Sequence, residues 1–168
     1  MCHIVCLGNK ACQAILTVMR AFNLDRQRGS ANMEWKINKG GPSMNDAKII
    51  STQFEKWNQA LLTGSPDNVV SCYAEDAILL PTVSAKVRHN HAEIRDYFVH
   101  FLAKEPVGRI DEENIRIFDD VAINSGLYTF EVTDNGQRVD VAARFTFVYR
   151  KNAGEWQIIE HHSSVLPD

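Results

Sequence analysis

Gly154-Glu155-Trp156-Gln157-Ile158-Ile159-Glu160-His161-His162-Ser163-Ser164 is the stretch whose reading decides the fold. A turn glycine leads into an aromatic and aliphatic strand, and the strand ends in four polar residues able to hydrogen-bond or titrate. A strand that begins as core and finishes as chemistry points to a pocket or an interface at its end. Working back from it, Asn152-Ala153-Gly154 reads as a turn and Val139 to Arg150 as a long strand. Asp134-Asn135-Gly136 is a strong hairpin signal. Ile115, Ile117 and then Val121 to Val132 read as strands parted by Asp119-Asp120. The second half of the chain is therefore an antiparallel meander.

Upstream the hydrophobic period changes. Ile49, Ile50, Phe54, Trp57, Leu61 and Leu62 recur at helical spacing from Ala47 to Thr63. Asn45 or Asp46 is the expected cap and Gly64 the stop. Ser65-Pro66 opens a second, short helix with Val69, Val70 and Tyr73 as its buried side. Ala77 to Leu80 reads as a short strand stopped by Pro81. Asn90 caps a third helix, and Glu93 completes a capping box. Its apolar face is Ile94, Tyr97, Phe98, Phe101 and Leu102, and Pro106 and Gly108 close it. Helices first and a meander after imply an α+β fold with the helices on one face of a curved sheet.

Composition suits one domain: 168 residues, 45% hydrophobic and 23% charged. A net charge of −3 argues against nucleic acid as a partner of the whole chain. The charge is uneven. Residues 1–44 carry Lys10, Arg20, Arg26, Arg28, Lys36 and Lys39 against Asp25 and Glu34, and the composition breaks near Gly40-Gly41-Pro42. This leader, with a short amphipathic helix from Ala11 to Phe22, reads as a poorly ordered, targeting or start-site extension before a domain at 45–168. Cys2, Cys6 and Cys12 lie in the leader, and Cys72 alone lies in the body. A body that cannot staple itself fits a reducing, cytoplasmic setting. No apolar run is long enough for a membrane helix, so no membrane partner is expected. Glycine-rich dinucleotide and phosphate loops and the kinase motifs are missing from the sequence, and no cofactor is expected.

The body resembles the nuclear-transport-factor-2-like fold. More narrowly it is similar to SgcJ/EcaC-type proteins, relatives of the calcium/calmodulin-dependent protein kinase II association domain and of SnoaL-like cyclases. The residues that carry the likeness are Leu79-Leu80-Pro81-Thr82-Val83-Ser84, Ile94-Arg95-Asp96-Tyr97-Phe98, Ala143 to Tyr149, and Gly154 to Ser164 with Pro167. The resemblance implies a cone of three helices on a bent antiparallel sheet, and homo-oligomers. The fold hosts enzymes, binding modules and assembly hubs, so it does not name an activity. In the kinase association domain, pocket arginines bind small carboxylates. The matching positions here fall on Tyr128, Phe147 and Ser163, none of them arginine.

Candidate sites follow from strand geometry. Neighbouring residues on a strand point to opposite faces, so His161 and His162 cannot share one metal ion. By parity, Phe145, Phe147, His161 and Ser163, with Tyr128, would line the cone as an aromatic pocket for a small, apolar or polar-ended ligand. Arg144 falls on the other parity and reads as an interface residue, with Glu131 or Glu160 as partner. Val139, Val141, Val148, Tyr149 and Ile158 complete the expected seam of a homodimer or larger ring. An enzyme would use His161 or His162 as general base and Tyr128 as donor to an oxyanion, with Asp76 and Asp140 the nearest carboxylates. His89 and His91 have ligand-like spacing but lack third and fourth partners, so no metal site is expected. Cys72 reads as a small core residue, and Asp111-Glu112-Glu113 as a solvated strand entry.

Overall fold

A computed structural model of the chain describes residues 44–167. The basic leader and its expected helix lie outside the described residues. Element order is α1 (Met44–Leu62), α2 (Pro66–Val70), β1 (Tyr73–Leu80), α3 (His91–Leu102), β2 (Val107–Phe118), β3 (Val121–Asp134), β4 (Gln137–Asn152) and β5 (Glu155–Val165).

Local signals place the helices. Ile50, Phe54, Trp57 and Leu61 follow the helical repeat and are all buried, while Ile49 and Leu62 are exposed. Asn45 and Asp46 sit inside the first turn of α1 rather than before it, where Asp46 suits the positive helix end. Gly64, at φ +66°, ends the helix with its N–H on the Leu61 carbonyl, 3.0 Å away. Ser65 caps α2 by accepting from Asn68 N–H, and Asn90 caps α3 by accepting from Glu93 N–H at 3.0 Å. The Glu93 carboxylate reaches back one residue further than expected, to the His89 N–H at 3.0 Å. Tyr73 belongs to β1 and not to the face of α2, because the chain leaves the helix at Ser71.

The five strands form one open sheet in the order β1-β5-β4-β3-β2. β2 through β5 are an antiparallel meander, and β1 adds to β5 in parallel. The β3–β4 turn puts Asn135 at φ +49° and Gly136 at φ +78°, the pair of left-handed residues that a two-residue hairpin needs. Two irregularities bend the antiparallel part of the sheet, and a third shifts the β1–β5 register between Tyr73 and Ile78. Asp111 is an extra residue in β2 opposite Tyr128 and Leu127, and Ile159 is an extra residue in β5 opposite Val148 and Tyr149. β2 is an outermost strand; β1, the other, is bridged to the following loop at Arg88.

The core fills the concave side. Phe54 of α1 packs its ring on Phe145 and Phe147 of β4 and on Tyr128 of β3, at 6.4 Å between centroids in each case. Asn58, also buried, pins α1 to the start of β2. Its Nδ2 donates to the Gly108 carbonyl at 2.8 Å, and its Oδ1 accepts from the Gly108 N–H at 2.9 Å. Behind the bulge, β2 and β3 come so close that a Cβ on Gly126 would stand 1.9 Å from the Glu112 carbonyl oxygen.

Candidate functional site

The wide end of the cone is not filled. A cavity of 170 Å³ opens between the sheet, the aromatic face of α3 and the loop after β1. Trp57 comes from α1, Tyr97 and Phe101 from α3, Tyr128 and Phe130 from β3, and His161 from β5. Lys104 and Asp134 stand at its mouth, paired at 3.0 Å and about half exposed.

His161 is 3% exposed and carries the most perturbed chemistry of the site. Its ring stacks on Phe147 at 4.0 Å and meets Trp57 edge-on at 5.3 Å. Trp57 Nε1–H donates to the Tyr73 hydroxyl oxygen at 3.1 Å, and that hydroxyl lies 2.9 Å from His161 Nδ1. An indole can only donate, so the Tyr73 oxygen accepts there, and Nδ1 is the one neighbour left that can take the buried phenol proton. The neutral ring then carries its own proton on Nε2, which is buried and has no partner among the described residues. Burial, with the neighbouring His162 adding to it, pushes the ring pKa from 6.5 down to about 3. Burial also holds the Tyr73 phenol well above its ordinary value.

A second polar row completes the wall. Tyr128 O–H donates to Ser163 Oγ at 2.5 Å, and Ser163 in turn meets the Thr82 hydroxyl. Burial raises the Tyr128 phenol pKa despite these bonds. The hydroxyls bond to one another, whereas His161 Nε2 is the buried polar atom of this wall with no partner among the described residues.

Of the five residues expected to line the pocket, Tyr128, His161 and Ser163 do. Phe145 and Phe147 are buried deeper, in the narrow end under Phe54. Val139 and Val141 share their parity and so face inward, at the pocket wall instead of the outer face. Tyr149 and Ile158 are each 1% exposed in the protomer core, so neither can form a seam. Tyr149 continues the inward row of Phe145 and Phe147, and the bulge at Ile159 turns Ile158 inward as well. Arg144 and Val148 do point outward. Arg144 lies opposite Leu127 and Ser164 and makes no ion pair among the described residues, since Glu131 is held by Arg138 at 2.7 Å. His162 is exposed on that outer face, opposite Thr146. Asp76 pairs with Arg150 at 2.8 Å and Asp140 with Arg109 at 3.2 Å, both away from the pocket wall. His89 and His91 have separate partners, Glu93 and the Tyr73 carbonyl. Trp57, Tyr73 and Thr82, the partners in the polar network, are among the site residues that strand parity does not find. All three precede the meander, and Tyr73 is hidden by its place next to a helix.

Comparison with known proteins agrees with this fold. The family model described as the calcium/calmodulin dependent protein kinase II association domain matches residues 46–167. A solved structure from Xanthomonas campestris, assigned to that association domain, is 46% identical, with a TM-score of 0.73 over 77% of this chain and 94% of that one. A protein from Streptomyces avermitilis assigned as a dehydratase of the NTF2-like family shares the fold at 14% identity and a TM-score of 0.66, over 74% of this chain and 99% of that one. So does a ketosteroid isomerase-like protein from Erwinia carotovora atroseptica, at 17% identity and a TM-score of 0.61, with the same coverage. No curated protein matches the chain. The chain belongs to the calcium/calmodulin-dependent protein kinase II association domain family, on the nuclear-transport-factor-2-like fold.

Proposed function

We propose that this chain is a self-associating domain that pairs through the outer face of its sheet and keeps a small-molecule pocket in each cone. One observation carries the reading: no described helix covers that outer face. Ile123 stands opposite Val148 there, and Leu127 opposite Arg144, all on the side away from the core. A sheet face left open by the described helices, where Ile123, Leu127 and Val148 alternate with Ser125, Thr146 and His162 around a guanidinium with no ion pair among the described residues, suits a two-fold partner presenting the same mixed surface. The association domain description of the family points the same way. A homodimer is the simplest closed form, and a larger ring can be built from such pairs. Cys72, a lone buried thiol among the described residues, suits a reducing, cytoplasmic setting.

Sedimentation velocity on the full chain at micromolar concentration tests this. The expected species has at least twice the 19.0 kDa mass of one chain, and Leu127→Arg, which sets a second cation beside Arg144, should shift it to monomer. A wild-type chain that sediments only as monomer refutes the reading.

A cyclase- or isomerase-like enzyme is the second reading, and the meeting of Tyr128 and His161 on one pocket wall favours it. Against it stands the low proton affinity of His161, which makes the ring a weak general base near neutral pH. His162, the other candidate, is turned away from the pocket.

A further inference from the structure

We infer that the cone pocket takes an uncharged, single-ring apolar molecule bearing one hydrogen-bond acceptor, and that His161 Nε2–H is the group that reads the acceptor. This deepens the ligand-binding half of the function proposed above and rests on it.

Size comes first. The cavity measures 170 Å³, and an apolar cavity of about 150 Å³ accommodates benzene. Its wall is aromatic and aliphatic, supplied by Trp57, Tyr97, Phe101, Phe130 and Val141. Such a wall receives a ring and offers no reward for further polar groups.

Polarity comes next. Trp57 and Tyr73 hold the ring of His161 by Nδ1 and fix its proton on Nε2. That N–H is buried without a partner, in a residue that lines the cavity. A buried donor without an acceptor is rare in folded proteins, because the loss of water is not repaid. An acceptor on a bound molecule repays it. Tyr128, Ser163 and Thr82 compete less, since their hydroxyls already bond to one another.

Charge excludes the anions that arginine-bearing pockets would take. The charged groups that line the cavity are Lys104 and Asp134, and they neutralise each other at the mouth. A carboxylate seated beside His161 would lose its water and meet no cation.

Three probes of like shape separate these terms: acetophenone (ring and carbonyl), ethylbenzene (ring alone) and benzoate (ring and anion). Each is titrated into the full chain by calorimetry. Acetophenone should bind about tenfold more tightly than ethylbenzene, the worth of one neutral hydrogen bond, and benzoate more weakly than either. In His161→Phe the advantage of acetophenone should vanish while ethylbenzene binding persists; in His161→Gln, which keeps a donor, part of the advantage should return. Equal binding of acetophenone and ethylbenzene to the wild-type chain overturns the inference. So does tightest binding of benzoate, or no binding at all. If the phenylalanine variant fails to fold, the wild-type ratios decide alone. Sedimentation of the same samples separates the two proposals. A dimer that binds no probe overturns this inference only, and a monomer that binds in the expected order overturns self-association only.

Discussion

Acidification should unload stability through one side chain. In the folded chain the His161 ring titrates at about 3, against 6.5 when exposed to water. The unfolded chain therefore takes up a proton that the folded chain refuses, throughout the window between those values. The sign follows: the group's contribution is whole above pH 6.5 and is lost as pH falls toward 3. Each pH unit inside the window costs about 1.4 kcal/mol. Between about pH 7.5 and about pH 5 the loss is then about 2 kcal/mol, most of it accruing below the ordinary histidine pKa. Urea unfolding of the full chain across that range reads the change directly. Asp67, Asp76 and Glu93 have lowered pKa values, but as carboxylates they contribute slope only further into acid. His161→Gln provides the reference, because it removes the titration; its stability should be nearly flat over the same interval. Parallel pH profiles for wild type and variant would show that His161 is not the group responsible and would refute the buried, neutral ring.

Gly126→Ala places a methyl on a backbone carbonyl that cannot swing aside, so it should destabilise by about 3 kcal/mol, measured by chemical unfolding; a change under about 1 kcal/mol would mean that the strands separate there more easily than the bulge geometry allows. Asn58→Ala leaves both the N–H and the carbonyl of Gly108 without their buried partner. A loss of about 2–4 kcal/mol is expected, together with faster hydrogen exchange of the Gly108 amide, and an unchanged exchange rate would contradict the clamp.

Most of the architecture was legible in the sequence because its signals are local. The period of Ile50, Phe54, Trp57 and Leu61, the caps Ser65 and Asn90, and the Asn135-Gly136 turn each act within a few residues. The site was legible only as far as regular alternation holds. Tyr128, His161 and Ser163 obey it and were found. Ile158 was misplaced because the extra residue at Ile159 reverses the face of everything before it, and no composition signal marks that bulge. Phe145 and Phe147 face inward as expected, yet how deep they lie depends on how Phe54 enters from another element, which strand parity cannot report. Tyr73 was lost for a similar reason, since its partners Trp57 and His161 lie 16 and 88 residues away.

The open sheet also has two rims, and their construction governs what the chain does when crowded. A bare strand at a rim is a template on which further copies can stack without limit. At β2 the Asp111 bulge breaks the straight ladder, and Arg109, Glu112, Glu113 and Arg116 crowd the same strand with charge. At β1 the chain's own loop already occupies the ladder, with Leu79 and Arg88 exchanging two backbone hydrogen bonds of 2.9 Å each. Neither rim offers an incoming strand an uninterrupted row of donors and acceptors. Strand-by-strand accretion is disfavoured at both described rims, which leaves the broad outer face as the surface for the pairing proposed above.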